Sequence, residues 1–220
     1  MKVRTIQIPH SQYHIVDGQE TPDIKRLMDE AKKDPANLEK QRAVYEASKL
    51  LADSGDIDAA LLIASAVSHP ELHATIITHI CARLVNLGQK ERSAEVFGDA
   101  LASADRVENA NRCPFAINLG MTAHMLAQRG LHEKILGPIH LSVHDDLKAT
   151  LLYWIAAGLS VEGHYDRALE IANSIEDPLT RGRSLENIAE MLKNVGQKER
   201  AAQLFKEARR LIQENKKGDD

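Results

Sequence analysis

Two pairs of histidines, His69 with His73 and His140 with His144, stand four residues apart. On a helix that spacing puts both imidazoles on one face, where they can fill two positions on a metal. Neither pair carries the glutamate of a His-Glu-x-x-His zinc-protease motif, and no third ligand stands nearby. With ten histidines in 220 residues, chance pairs are expected, so no metal site is assigned. The two cysteines, Cys81 and Cys113, make neither a disulfide framework nor a zinc pattern. Cys113 precedes Pro114 with no activating base beside it in the chain. There is no phosphate-cradling glycine loop, nucleophile elbow, kinase motif or dinucleotide motif. The expectation is no catalytic residue, no cofactor and no enzyme.

The elements that would position any site come from composition and periodicity. The chain is 43% hydrophobic but only 4% aromatic, and Ala and Leu dominate, which suits close helix–helix packing better than a sheet. A net charge of −4 supplies no strong basic field, so nucleic acid and membrane are not expected partners. The start carries Lys2 and Arg4 without an apolar run behind them, so no secretory signal is read. A soluble protein of the cytoplasm is expected.

Five glycines organise the chain: Gly55, Gly88, Gly130, Gly163 and Gly196, spaced 33, 42, 33 and 33 residues apart. Four residues before each stands Leu51, Leu84, Leu126, Leu159 or Leu192. Eleven before stands Val44, Ile77, Leu119, Leu152 or Leu185. Seven before, the residue is always small: Ser48, Cys81, Ala123, Ala156 or Ala189. These offsets share one helical face. A second helix comes after the turn, with Ala60, Ser93, Ala168 and Ala201 five residues after four of the glycines and Ile63, Val96, Ile171 and Leu204 eight after. The glycine supplies the left-handed turn that ends the first helix, and the short loop makes the two helices antiparallel.

This pattern resembles the tetratricopeptide repeat, over roughly residues 34 to 213. Phe97 and Phe205 stand nine after their glycines, as in that family, whereas Ala64 and Ala172 stand there in two other units. Pro70 and Pro178 take the place of its boundary proline. The period of 33 and the mostly aliphatic aromatic positions are departures. The resemblance implies an all-α superhelix, a right-handed solenoid of about five helix–turn–helix repeats. It also implies that residues thirteen, ten, six and three before each glycine face a concave groove. On that basis the candidate partner-binding residues are Arg42, Tyr45, Lys49, Thr78, His124, Tyr153, Glu186 and Glu190. The Lys and Asn clamp of chaperone-tail binders is absent, since Lys49 has no companion.

The remaining segments carry expectations of their own. Residues 1–20 form an extended or disordered arm, either disordered, folded along the stack, or paired with another chain to make a homo-oligomer. Residues 21–33 form a capping helix with Ile24, Leu27, Met28 and Ala31 inward. Residues 34–215 are the repeat domain, and 216–220 a disordered tail. Asp34-Pro35 and Asp177-Pro178 read as cap and first-turn pairs. The nine extra residues near Asp105 to Cys113 form an extended helix or a loop. Gly137-Pro138 ends a short helix, Ile139 to His144 is a loop, and Asp145 caps the next helix. The function expected is a non-catalytic module that binds a protein or peptide partner in the groove. The alternatives are a self-associating structural protein or secretion-type chaperone and, more remotely, an enzyme or metal protein.

Overall fold

The computed structural model describes residues 3–8, 11–16 and 22–218, with side chains for 23–215. Apart from one short ribbon the regular elements among these residues are helical, eleven α-helices and one 3-10 turn. The ribbon consists of β1 (Val3–Ile8) and β2 (Ser11–Val16), antiparallel, with Val3 opposite Val16 and Ile8 opposite Ser11. The helices offer this segment no sheet edge, yet none is needed. Each strand supplies the edge that the other pairs with, and β2 lies against α1.

Helix α1 (Pro22–Lys33) packs on α2, and its Ile24, Leu27, Met28 and Ala31 are buried as expected. Five hairpins come next: α2 (Leu38–Ser54) with α3 (Ile57–Ala64), α4 (Pro70–Asn86) with α5 (Lys90–Ala104), α6 (Pro114–Gln128) with α7 (His132–Leu141), α8 (Asp145–Val161) with α9 (Tyr165–Asn173), and α10 (Pro178–Asn194) with α11 (Lys198–Gly218). All five turn glycines have φ between +76° and +90°. The residue after each one donates its N–H to the carbonyl of the leucine four before it, at 2.9–3.0 Å. These leucines both pack the hairpin and accept the bond that closes its turn.

The small and bulky positions behave as their spacing predicts. Val44, Ile77, Leu119, Leu152 and Leu185 are buried, as are all five residues seven before a glycine and all five leucines. Small polar members are satisfied locally: Ser48 Oγ donates to the Ala60 carbonyl at 2.7 Å, and Ser93 Oγ to that of Cys81 at 2.9 Å. A buried hydroxyl at this crossing thus ties the two helices of a hairpin together.

The chain divides into two compact units. One extends through Glu108 and includes Cys113–Asn118; the other holds Asn109–Arg112 and all from Leu119 on. In the first, α2 packs on α4 and α4 on α5. In the second, α8 packs on α7, α9 and α10, and α10 on α11. The nine extra residues form a loop with a single 3-10 turn, Ala110–Arg112, beside α8.

Four local expectations are corrected. Asp34-Pro35 does not open α2. Asn37 caps it instead, accepting from Lys40 N at 3.2 Å, while the Asp34 carboxylate accepts from Asn37 Nδ2 at 3.2 Å. Pro138 does not break α7, which runs on to Leu141. Gly137 before it has no Cβ, which removes one of the contacts a proline ring makes with its predecessor. Asp145 is the first residue of α8, with His144 as its cap. Finally, α11 continues to Gly218, past the expected start of the tail. Asp219 and Asp220 lie outside the described residues. Asp177 does cap α10, accepting from Thr180 N at 2.6 Å.

Candidate partner-binding surface

The candidate residues fall into the two units, and each set is described on its own. In the first unit, Arg42 is exposed and Tyr45 and Lys49 are half-buried on α2. Burial raises the Tyr45 pKa; Lys49 opposes this and Glu46 and Asp53 add to it. Thr78 on α4 is fully buried. It presents no binding surface, although Tyr45, Tyr153 and Glu186 at the same offset are half-buried. Sequence reasoning does not find the polar group beside it. His79 Nε2 lies 2.8 Å from Asp53 Oδ1, and Arg83 donates to the carbonyls of Ala52 at 3.4 Å and Asp53 at 3.0 Å. Arg83 thereby satisfies carbonyls at the C-terminal end of α2, where a cation also suits the helix dipole. A basic residue four after His79 is the available signal.

Gln41 also escapes the sequence pattern. It is fully buried, donates to the Ala31 carbonyl at 3.0 Å, and accepts from Ser68 N at 2.7 Å. One amide thus joins α1, α2 and the α3–α4 loop.

The second unit holds the most distinctive surface. Tyr153 and Trp154 of α8 and His124 of α6 are all half-buried. The Trp154 ring meets His124 edge-on at a centroid distance of 6.0 Å and Tyr153 at 5.7 Å. Two glycines make this packing possible. A Cβ at Gly120 would lie 2.3 Å from Trp154 Cδ1, and a Cβ at Gly158 2.6 Å from the His124 carbonyl oxygen. The helices approach so closely that only glycine fits at either crossing. Met121, one residue after Gly120, is exposed. On α10, Glu186 is half-buried and Glu190 exposed, the latter 3.3 Å from Lys193 Nζ. Trp154, the chain's single tryptophan, stands one position outside the offsets that the repeat resemblance implies, which is why the pattern passes over it. A glycine in mid-helix at position 120 is the signal that something large packs there.

The histidine pairs do not come together as ligand sets. His69 caps α4, and His73 Nδ1 accepts from Arg106 Nη2 at 3.0 Å and lies 2.9 Å from Ser103 Oγ. His140 belongs to α7, whereas His144 caps α8. Among the described residues no cluster of three or more His, Cys, Asp or Glu side chains is arranged to hold a metal ion. Cys81 is buried, donates to the Ser93 carbonyl at 3.2 Å, and burial pushes its pKa up to about 12. A thiol held protonated in this way is no nucleophile. No described helix is long and apolar enough to cross a membrane.

No family model matches the chain, and no curated protein matches it. A solved chain described as MamA MSR-1 C2 is similar over 80% of this chain and 98% of its own, at 19% identity and a TM-score of 0.37. At that distance the likeness assigns neither a partner nor a site.

Proposed function

We propose that this chain is a non-catalytic interaction module that binds a protein or peptide partner. The binding surface is the first-helix face of its second unit. The observation that carries this reading is the half-buried group of His124, Tyr153 and Trp154, held by two glycine crossings. Tyr and Trp are rigid and amphipathic, so they supply contact area at low entropic cost. Met121 beside them adds an adaptable apolar contact. An extended or helical peptide with small apolar anchors suits this surface, and Glu186 and Glu190 favour a basic residue further along it. Arg42, Tyr45 and Lys49 stand on α2 of the first unit.

Trp154 makes the reading directly measurable, because the chain contains no other tryptophan. A partner recovered by affinity capture should shift or quench its emission on titration. Tyr153→Ala should weaken capture while leaving the helical circular dichroism native. Capture unaltered by Tyr153→Ala, together with unchanged tryptophan emission at saturation, would reject this surface.

A further inference from the structure

The outer face of α11 departs from the repeat in a way that neither hairpin packing nor the aromatic surface explains. The helix sits on α10 as α5 sits on α4. Five and twelve residues after the turn glycine, Ser93 and Ala100 of α5 and Ala201 and Ala208 of α11 are all buried. The neighbouring face differs. Six, nine and thirteen residues after the glycine, α5 has Ala94, Phe97 and Leu101, at most 5% exposed. The same positions of α11 hold Ala202, Phe205 and Arg209, of which Phe205 is half-buried and the other two exposed. A repeat position that carries a fully covered phenylalanine in α5 therefore carries a partly covered one in α11.

The surroundings of Phe205 are basic. Lys206, Arg209 and Arg210 share its open patch with one acid, Glu207. None of the three cations makes an ion pair among the described residues, whereas Arg200 on the same helix pairs with Asp166. Ala202, Phe205 and Arg209 form a ridge at helical spacing, with a small residue that permits close approach.

We propose that this face of α11 receives an amphipathic helix of a partner protein, with an apolar stripe on Ala202 and Phe205 and acidic flanks on Lys206, Arg209 and Arg210. The spacing selects a helix, because a ridge of side chains three and four apart seats in the groove of another helix. The unpaired cations select its charge, since opposite potentials guide encounter and register. This surface is distinct from the His124–Tyr153–Trp154 group.

The test uses the full chain and labelled synthetic helical peptides of about 18 residues, roughly five turns. They share a leucine stripe and carry either Glu or Lys on its flanks. Fluorescence anisotropy should show saturable binding of the Glu peptide, at least about tenfold tighter than the Lys peptide and weakened by salt. The exposed-residue variant Arg209→Glu/Arg210→Glu should reverse that preference. Phe205→Ser should weaken binding of the Glu peptide, with circular dichroism confirming the helices. Tyr153→Ala should leave it unchanged. Equal binding of the two peptides, no binding of the Glu peptide at millimolar concentration, or indifference to the Arg209/Arg210 variant would overturn the proposal. Self-association of the full chain that Phe205→Ser abolishes would assign the face to a second copy and overturn it as well.

Discussion

Single residues decide how closely these helices approach. At Gly158 an added methyl would meet the His124 carbonyl oxygen at 2.6 Å, and backbone cannot step aside as a side chain can. Gly158→Ala should therefore cost about 1–3 kcal/mol in urea unfolding, the usual penalty of overpacking. Gly163 has open space around its absent Cβ but a φ of +81°. Gly163→Ala should cost about 1–2 kcal/mol, through backbone strain alone. If the Gly158 substitution proved neutral, the α6–α8 crossing would be wider than described. Thiol reactivity gives a second check at this scale. Cys113 is half-buried, whereas Cys81 is inaccessible and its pKa is pushed up to about 12. A thiol reagent near pH 8 should label one cysteine in the native chain and the second only after denaturation. Rapid native labelling of both would contradict the buried placement of Cys81.

At the scale of elements, the second helices are linked by a recurring ion pair. An acid three residues after one turn glycine meets an arginine four after the next: Asp58 with Arg92, Glu133 with Arg167 at 2.5 Å, and Asp166 with Arg200. Each pair spans 34 residues, one repeat plus one. The acids are largely exposed, so screening limits each pair to no more than about 1 kcal/mol. Their value lies in register, since a slipped hairpin loses its partner. A double-mutant cycle on Asp166→Ala and Arg200→Ala should give a small favourable coupling that disappears in high salt. Coupling that persists in high salt would show that the pair is shielded from solvent. These pairs were legible in principle, because both residues recur at fixed offsets from the glycines. Which acid reaches which arginine required the packed helices.

At the scale of the whole molecule, two histidines make stability depend on pH in one direction. Burial lowers the His73 pKa from 6.5, and Arg106 lowers it further against a weaker opposing effect of Asp99. Its Nδ1 accepts from Arg106, so the folded state favours the neutral ring. Burial also lowers His132, with Glu133 opposing and Arg167 and His164 reinforcing. A base with a depressed folded pKa binds more protons when unfolded. Both histidines therefore contribute stability that is complete above pH 6.5 and lost as pH falls toward the folded values. The melting temperature should decline on acidification from pH 7 to pH 5, and His73→Gln should flatten that decline. A His73→Gln profile with the same slope as the unaltered chain would remove His73 from the account.

The sequence by itself determined the repeated helical hairpin, its five turns and its buried face. Those features are encoded at offsets of three, four and seven residues, which helical geometry alone converts into a shared surface. The glycine turns needed no more than a backbone conformation that side chains resist. Tertiary structure decided the rest. Thr78 is buried where Tyr45 and Tyr153, at the same offset of their own helices, are half-buried; α7 runs on through Pro138; and β1 and β2 pair without a third strand. The Gly120–Trp154 contact joins residues 34 apart on different helices, and the candidate surface rests on it. Such a contact depends on how two helices cross, a quantity that no local spacing carries.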